Sequence, residues 1–230
     1  MTTKSLCGWM VAFVVFLISN LAAMPLQAQG HRSPELDVQF HRAETAWKSG
    51  ASVLEAKARV DRVLNEKPDD GEARKLRAQI LMDMDRPQEA LFDAREAVKI
   101  RPYDGEAYLI LSEAARLNGN HHLAVEALDA AAERVLEDAD FHIRLSWNAS
   151  LLGQPERAEA FARIALALDS SKAAAYYQLA RVFIRKNQDD AAASVLERGL
   201  RSDLLDPDAI RDDSILTQVT AHESLQELLK

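Results

Sequence analysis

Five alanines, Ala56, Ala90, Ala124, Ala158 and Ala192, stand thirty-four residues apart without a miss. An unbroken period of that length constrains the chain more than any other feature, because one structural unit must recur five times with no insertion. Two further columns keep the same spacing. Small residues recur at Ala78, Ser112, Ser146 and Ala180, and leucine at Leu111, Leu145 and Leu179. The stretches KPDDGEAR (67–74) and RPYDGEAY (101–108) are the period seen at a unit boundary. Pro68 and Pro102 close the first two units, while Leu136, Ser170 and Leu204 stand at that place in the last three.

Within a unit, apolar residues step by three and four, as in Tyr108, Leu111 and Ala115, then Ala124, Ala127, Leu128 and Ala131, so each unit reads as two helices. Gly119, Gly153, Asn187 and Asp85 mark the break between the two, at residues that tolerate the left-handed conformation. Pro87 and Pro155 open the second helix, where no backbone donor is lost. At unit boundaries Asp70 or Asp104 caps the next helix, the following glycine permits the turn, and Glu72 or Glu106 suits the positive helix end. Eight Gly, seven Pro and few aromatics among 230 residues, 48% of them apolar, agree with an all-α chain.

The repeat resembles the tetratricopeptide repeat family, whose thirty-four-residue units show small residues at the eighth and twentieth places and proline near the thirty-second. The resemblance spans residues 37–206 as five units: 37–70, 71–104, 105–138, 139–172 and 173–206. It implies a right-handed superhelical solenoid of helix-turn-helix repeats. Glu44 departs from the pattern in unit one, Arg74 and Arg77 in unit two, and the family's leading tryptophan is missing; Trp47 is expected to fill part of the first interface. Stacked units need a closed end. Residues 207–230, with Ile215, Leu216, Val219, Leu225, Leu228 and Leu229 at helical spacing, are expected to form a C-terminal capping helix, in one piece or in two separated near Asp213.

The N-terminus is different in kind. Lys4 is the only charge before His31, and WMVAFVVFLISNLAAM (9–24) is one apolar run followed by LQA at 26–28. That is the pattern of a secretory signal occupying residues 1–28, with an uncleaved membrane anchor as the alternative. Residues 29–36 are expected to be a flexible linker. Cleavage would remove Cys7, the single cysteine, and shift the formal charge from −8 to −9. An acidic chain offers no general field for nucleic acid or anionic lipid. A periplasmic or secreted location follows from this reading, with membrane association only if the segment is retained.

No nucleophile-base pair, metal cluster or phosphate-binding glycine loop is visible, so neither an enzyme nor a cofactor or small-molecule substrate is expected. His121 and His122 lie in a turn without a third ligand. His142 reads as a packed interface histidine, and His41 and His222 as exposed. The carboxylate pairs Asp69–Asp70, Asp189–Asp190 and Asp212–Asp213 read as caps, and the glycosylation triplet Asn148-Ala149-Ser150 as chance inside a helix.

In the family the first helices of successive units line a concave groove that receives a peptide. By position, Leu109, Ile143 and Tyr177 form one row there, and Glu113, Trp147 and Arg181 the next, with Arg144 and Arg185 as further groove candidates. Lys75, Gln79 and Arg144 loosely resemble a carboxylate clamp, but Ile110 and Asp140 occupy positions where amide and basic residues are needed. The implied partner is a protein or peptide segment. A structural subunit that uses its edges, and an accessory domain of an enzyme, are the alternatives.

Overall fold

The computed structural model describes residues 32–230, so the apolar run and the signal reading lie outside the described residues. Every regular element among the described residues is helical. Five antiparallel pairs follow one another: α1 (Pro34–Lys48) with α2 (Val53–Glu66), α3 (Gly71–Asp83) with α4 (Pro87–Ile100), α5 (Gly105–Leu117) with α6 (His121–Ala132), α7 (Ala139–Leu151) with α8 (Pro155–Leu168), and α9 (Ala173–Arg185) with α10 (Asp189–Arg201). Each helix packs on its hairpin partner, and the first helices α1, α3, α5, α7 and α9 also touch in succession, forming a solenoid.

The helix ends follow from local chemistry. Asp70, Asp104 and Asp138 cap α3, α5 and α7; their carboxylates accept from the N–H groups of Ala73 (3.0 Å), Glu106 (3.0 Å) and Phe141 (3.0 Å). Between hairpin partners the chain turns through φ of 56° at Asp85, 72° at Gly119, 70° at Gly153 and 56° at Asn187, all expected breaks. At those turns the Arg86, Asn120, Gln154 and Gln188 N–H groups reach back to carbonyls of the preceding helix, which closes each helix end.

Gly71 and Gly105 serve another purpose than expected. Neither has positive φ. A Cβ at Gly71 would lie 2.6 Å from the Arg101 side chain, and one at Gly105 2.5 Å from Val135, so glycine is there for close approach of a neighbouring segment.

The alanine column is the packing seam. Ala56, Ala90, Ala124, Ala158 and Ala192 are each 0% exposed, as are Ala78, Ser112, Ser146 and Ala180 opposite them. Only small side chains let paired helices approach so closely. The two serines resolve their polarity internally: Ser112 Oγ donates to the Ala124 carbonyl and Ser146 Oγ to that of Ala158, both at 2.7 Å.

Three details depart from expectation. Residues 34–36, assigned to a flexible linker, form the first turn of α1, because Ser33 caps it and Pro34 takes the first helical place. The C-terminal cap is no single helix: α11 (Pro207–Asp212), a 3-10 turn (Leu216–Val219) and α12 (Glu223–Gln226) fold over the end of unit five. Asp213 interrupts them by capping Ile215 (2.8 Å) and Leu216 (2.9 Å). The cap buries Ile210, Leu216, Val219 and Leu225 against Phe183, Ile184, Leu196 and Leu200. His222, expected to be exposed, is partly covered and stands 3.3 Å from Asp190.

In unit two, Arg74 and Arg77 stand where apolar residues were expected. Both converge on Asp93, itself 1% exposed, and Arg77 also reaches Asp61 at 3.0 Å. A charge network thus stands at these two positions, beside the apolar cluster in which Val60 and Val63 of unit one meet Leu76 and Ile80 of unit two. Trp47 packs into the first cluster, as expected, and donates to Asp83 at 2.6 Å. His142 is buried, with Nδ1 donating to the Asp138 carbonyl at 2.9 Å and its ring edge-on to Phe161.

Candidate functional site

The successive first helices place their outward residues on one face, and cavities open between them. One, of about 280 Å³, lies at the α7–α9 junction and is lined by Glu113, Ile143, Arg144, Trp147, Ala174, Tyr177, Gln178 and Arg181. It gathers six of the eight residues assigned to the groove from sequence. Trp147 is 41% exposed there, an aromatic side chain that no core contact demands.

Leu109 does not belong to this surface. It is 0% exposed and shares a core cluster with Leu128, Phe141, Leu145 and Val182, so a groove role for it is corrected: a leucine able to reach that cluster gains more from burial than from facing water. Arg185 also lies outside the cavity, extended across to Ser150 Oγ at 2.6 Å.

The cavity walls are held by partners. Arg144 pairs with Glu106 across a unit boundary, and Arg181 with Asp213 of the cap, Nε to Oδ2 at 3.0 Å. Tyr177 Oη accepts from the Asp206 N–H at 2.9 Å, which ties the same wall to the start of the cap. Burial works against the Asp213 carboxylate, yet Arg181 and the N–H groups of Leu216 and Ile215 outweigh it and hold its pKa below the ordinary 3.8. A second cavity of about 300 Å³ lies on units one to three among Phe40, Trp47, Lys75, Leu76, Gln79 and Ile110. There Lys75 meets Asp104 at 2.6 Å and Glu72 at 3.0 Å.

Glu113 is the exception to this pattern of paired charges. Burial pushes its carboxyl above the ordinary 4.5, outweighing the nearby Arg144 charge and a 2.9 Å hydrogen bond donated by Asn148 Nδ2. Asn148 is 1% exposed, so the glycosylation triplet is not accessible in the folded chain. Sequence reading passed over Asn148 as a site residue, although comparison of units in register reveals it. The equivalent positions are Ala46, Ile80, Ala114 and Val182, the last three each 0% exposed. Among the described residues no group of His, Cys, Asp and Glu could hold a metal ion, and no helix is long and apolar enough to cross a membrane.

With the geometry in place, the fold can be set beside known proteins. Residues 173–204 match the tetratricopeptide repeat family. PilW, described as a widely conserved type IV pilus biogenesis factor, is similar at 20% identity and TM-score 0.64, with 86% of this chain and 100% of that one covered. TTC0263, a thermophilic protein of Thermus thermophilus, is similar at 23% identity and TM-score 0.61, covering 72% and 90%. YrrB, described as having an unusual peptide-binding site, is similar at 15% identity and TM-score 0.55, covering 79% and 90%. No curated protein matches the sequence. Identities this low establish a shared fold, that of the tetratricopeptide solenoid. Unit five carries the matched repeat itself, and the five helix pairs share the fold of these solenoids.

Proposed function

We propose that the chain is a non-enzymatic scaffold that holds a segment of a partner protein along the concave face of units three to five. The observation that carries this reading is the 280 Å³ cavity framed by Ile143, Trp147 and Tyr177, large enough for one bulky apolar side chain and open beside an exposed tryptophan. Exposed aromatics beside arginine are the chemistry of binding hot spots. The peptide-binding site ascribed to YrrB supports the same use of the fold.

The setting we propose is the bacterial cell envelope, with the chain exported and periplasmic or secreted. The support is the single charge at Lys4 before the apolar run 9–24 and the small residues that follow it. Mass measurement of the mature protein tests this part: loss of residues 1–28 is expected, and their retention refutes cleavage.

The groove is tested by crosslinking in the native host with wild type and an Ile143→Asp, Trp147→Asp variant. Tyr177 is left intact because its hydroxyl anchors the cap. Loss of one partner from a variant that remains helical is the expected outcome. An unchanged set of partners would move the working surface to the array's edges, as a structural subunit requires.

A further inference from the structure

Three charged side chains line the cavity at the α7–α9 junction, and their charges are met unequally. Arg144 is paired with Glu106, and Arg181 with Asp213 of the cap. Glu113, which reaches the cavity from α5 of the preceding unit, forms no ion pair among the described residues. Its Oε1 accepts from Asn148 Nδ2 at 2.9 Å; Oε2 accepts from no group among the described residues and is not sealed from solvent. Arg144 acts on Glu113 only through space, and burial outweighs it. Arg116, another cation nearby, lines the neighbouring cavity across Trp147 together with Asp83.

The fold does not ask for a carboxylate at this place. In register, the other units carry Thr45, Gln79, Trp147 and Arg181. A largely enclosed carboxylate with one neutral partner weighs against folding, and its raised pKa is the sign of that cost. Residues that cost stability where the repeat accepts others are expected at working surfaces, and this one lies beside the exposed Trp147.

We propose that the cavity receives a basic side chain, lysine or arginine, of the partner segment, with its charged head on Glu113 Oε2 and its methylene stem against Ile143, Trp147 and Tyr177. The proposal rests on the groove reading above and names the partner's chemistry. An acidic side chain would meet Glu113 and find both arginines of the cavity already paired. A wholly apolar one would strip the remaining water from the carboxylate and leave it without a partner. A neutral donor would fill Oε2 but leave the charge unmatched. A basic side chain meets each demand: the stem is apolar, the head carries the missing charge, and the faces of Trp147 and Tyr177 favour a cation beside them. The hydrogen bond it donates to Glu113 is charge-assisted, the stronger kind. The formal charge of −8 on the whole chain favours the approach of a basic segment.

The test pans a random peptide library on the immobilised full chain as wild type, as Glu113→Gln, and as the pair Ile143→Ala, Trp147→Ala. Glutamine is the residue unit two carries at this place, and alanines avoid the attraction that new aspartates would exert on a basic side chain. Circular dichroism and thermal melting confirm folding, and Glu113→Thr, the residue of unit one, stands in should the glutamine variant fail. Wild type is expected to enrich peptides with Lys or Arg at one fixed position. In a selected peptide, methionine at that position should weaken binding to wild type about tenfold, the scale of one hydrogen bond to a charged group. Glu113→Gln should bind both peptides alike while melting no lower than wild type, an outcome that a merely structural Glu113 would not produce. Peptides that depend on Ile143 and Trp147 but share no basic position, or a basic preference unchanged in Glu113→Gln, overturn this inference and leave the groove reading standing. Absence of enrichment on wild type, or enrichment that survives the alanine pair, overturns both.

Discussion

The two ends of the array both bury apolar side chains, but differ in how many buried charges they add. In unit two, Asp93 receives Arg74 at 2.7 Å and Arg77 at 2.6 Å; Arg77 reaches on to Asp61 of unit one at 3.0 Å, and Asp70 receives Arg32 at 2.6 Å. At the far end, unit five and the cap bury Phe183, Ile184, Leu196, Ile210, Leu216 and Leu225 in one apolar cluster. Apolar burial is non-directional and tolerates small shifts, whereas a buried charge is stable only with its partners in place. The polar joint should therefore respond sharply to single changes and to acid, and the apolar end mainly to lost volume.

The comparison breaks most visibly at the cap. Deleting residues 207–230 uncovers the α9–α10 face; a loss larger than the roughly 2–5 kcal/mol typical of one buried leucine truncation is expected, read as lost hydrogen-exchange protection confined to unit five. Unchanged protection there would show that unit five needs no cover. Next in size is Asp93→Ala, which strands Arg74 and Arg77 and should cost about 3 kcal/mol. Replacing all three by leucine should recover most of that loss. If it does not, the network is specifying this joint in a way apolar contact cannot.

Acid sharpens the contrast with a smaller effect. Burial opposes the Asp104 carboxylate, but Lys75, the Ala107 N–H and Arg101 together hold its pKa below 3.8. Its contribution is complete above the unfolded value and disappears as pH falls through the folded one. Glu113 has the opposite sign: raised above 4.5, it is neutral at low pH without penalty and weighs against the fold as pH rises through that range. Asp104→Asn should thus destabilise at neutral pH and not in strong acid, while Glu113→Gln should gain on wild type as pH rises above the ordinary carboxylate range in urea titrations. Least affected is an exposed pair such as Lys48–Glu44, at 2.7 Å. Lys48→Ala should change stability by less than about 0.5 kcal/mol.

Much of this architecture was legible because a repeat states the same requirement five times. The alanine column, the capping aspartates and the left-handed turn residues each depend on contacts within a hairpin or across one boundary, so local pattern determines them. The site was legible in part. Six groove residues converge as register implied, but Leu109 occupies an equivalent position to Ile143 and Tyr177 and is nonetheless buried, because Phe141 and Leu145 from the next unit share its cluster. Register identifies equivalent places on a helix, and the neighbouring unit decides which of them stay open. Asn148 illustrates the reverse: its polarity stands out in the apolar column once the units are aligned, but the partner it serves, Glu113 of the preceding unit, is seen only in the structure.

The period, the all-helical class, the helix ends and the small-residue seams were settled by the sequence alone, since each follows from backbone preference and the size of side chains between paired helices. Tertiary structure alone decided three things: the closure of unit five by three short turns, the convergence of Arg74 and Arg77 on Asp93, and the opening of a cavity beside Trp147. The cap and the cavity arise where residues from different units meet, and the Asp93 network arises across one hairpin with Arg77 reaching on to Asp61 of unit one; such meetings are set by which side chain arrives opposite.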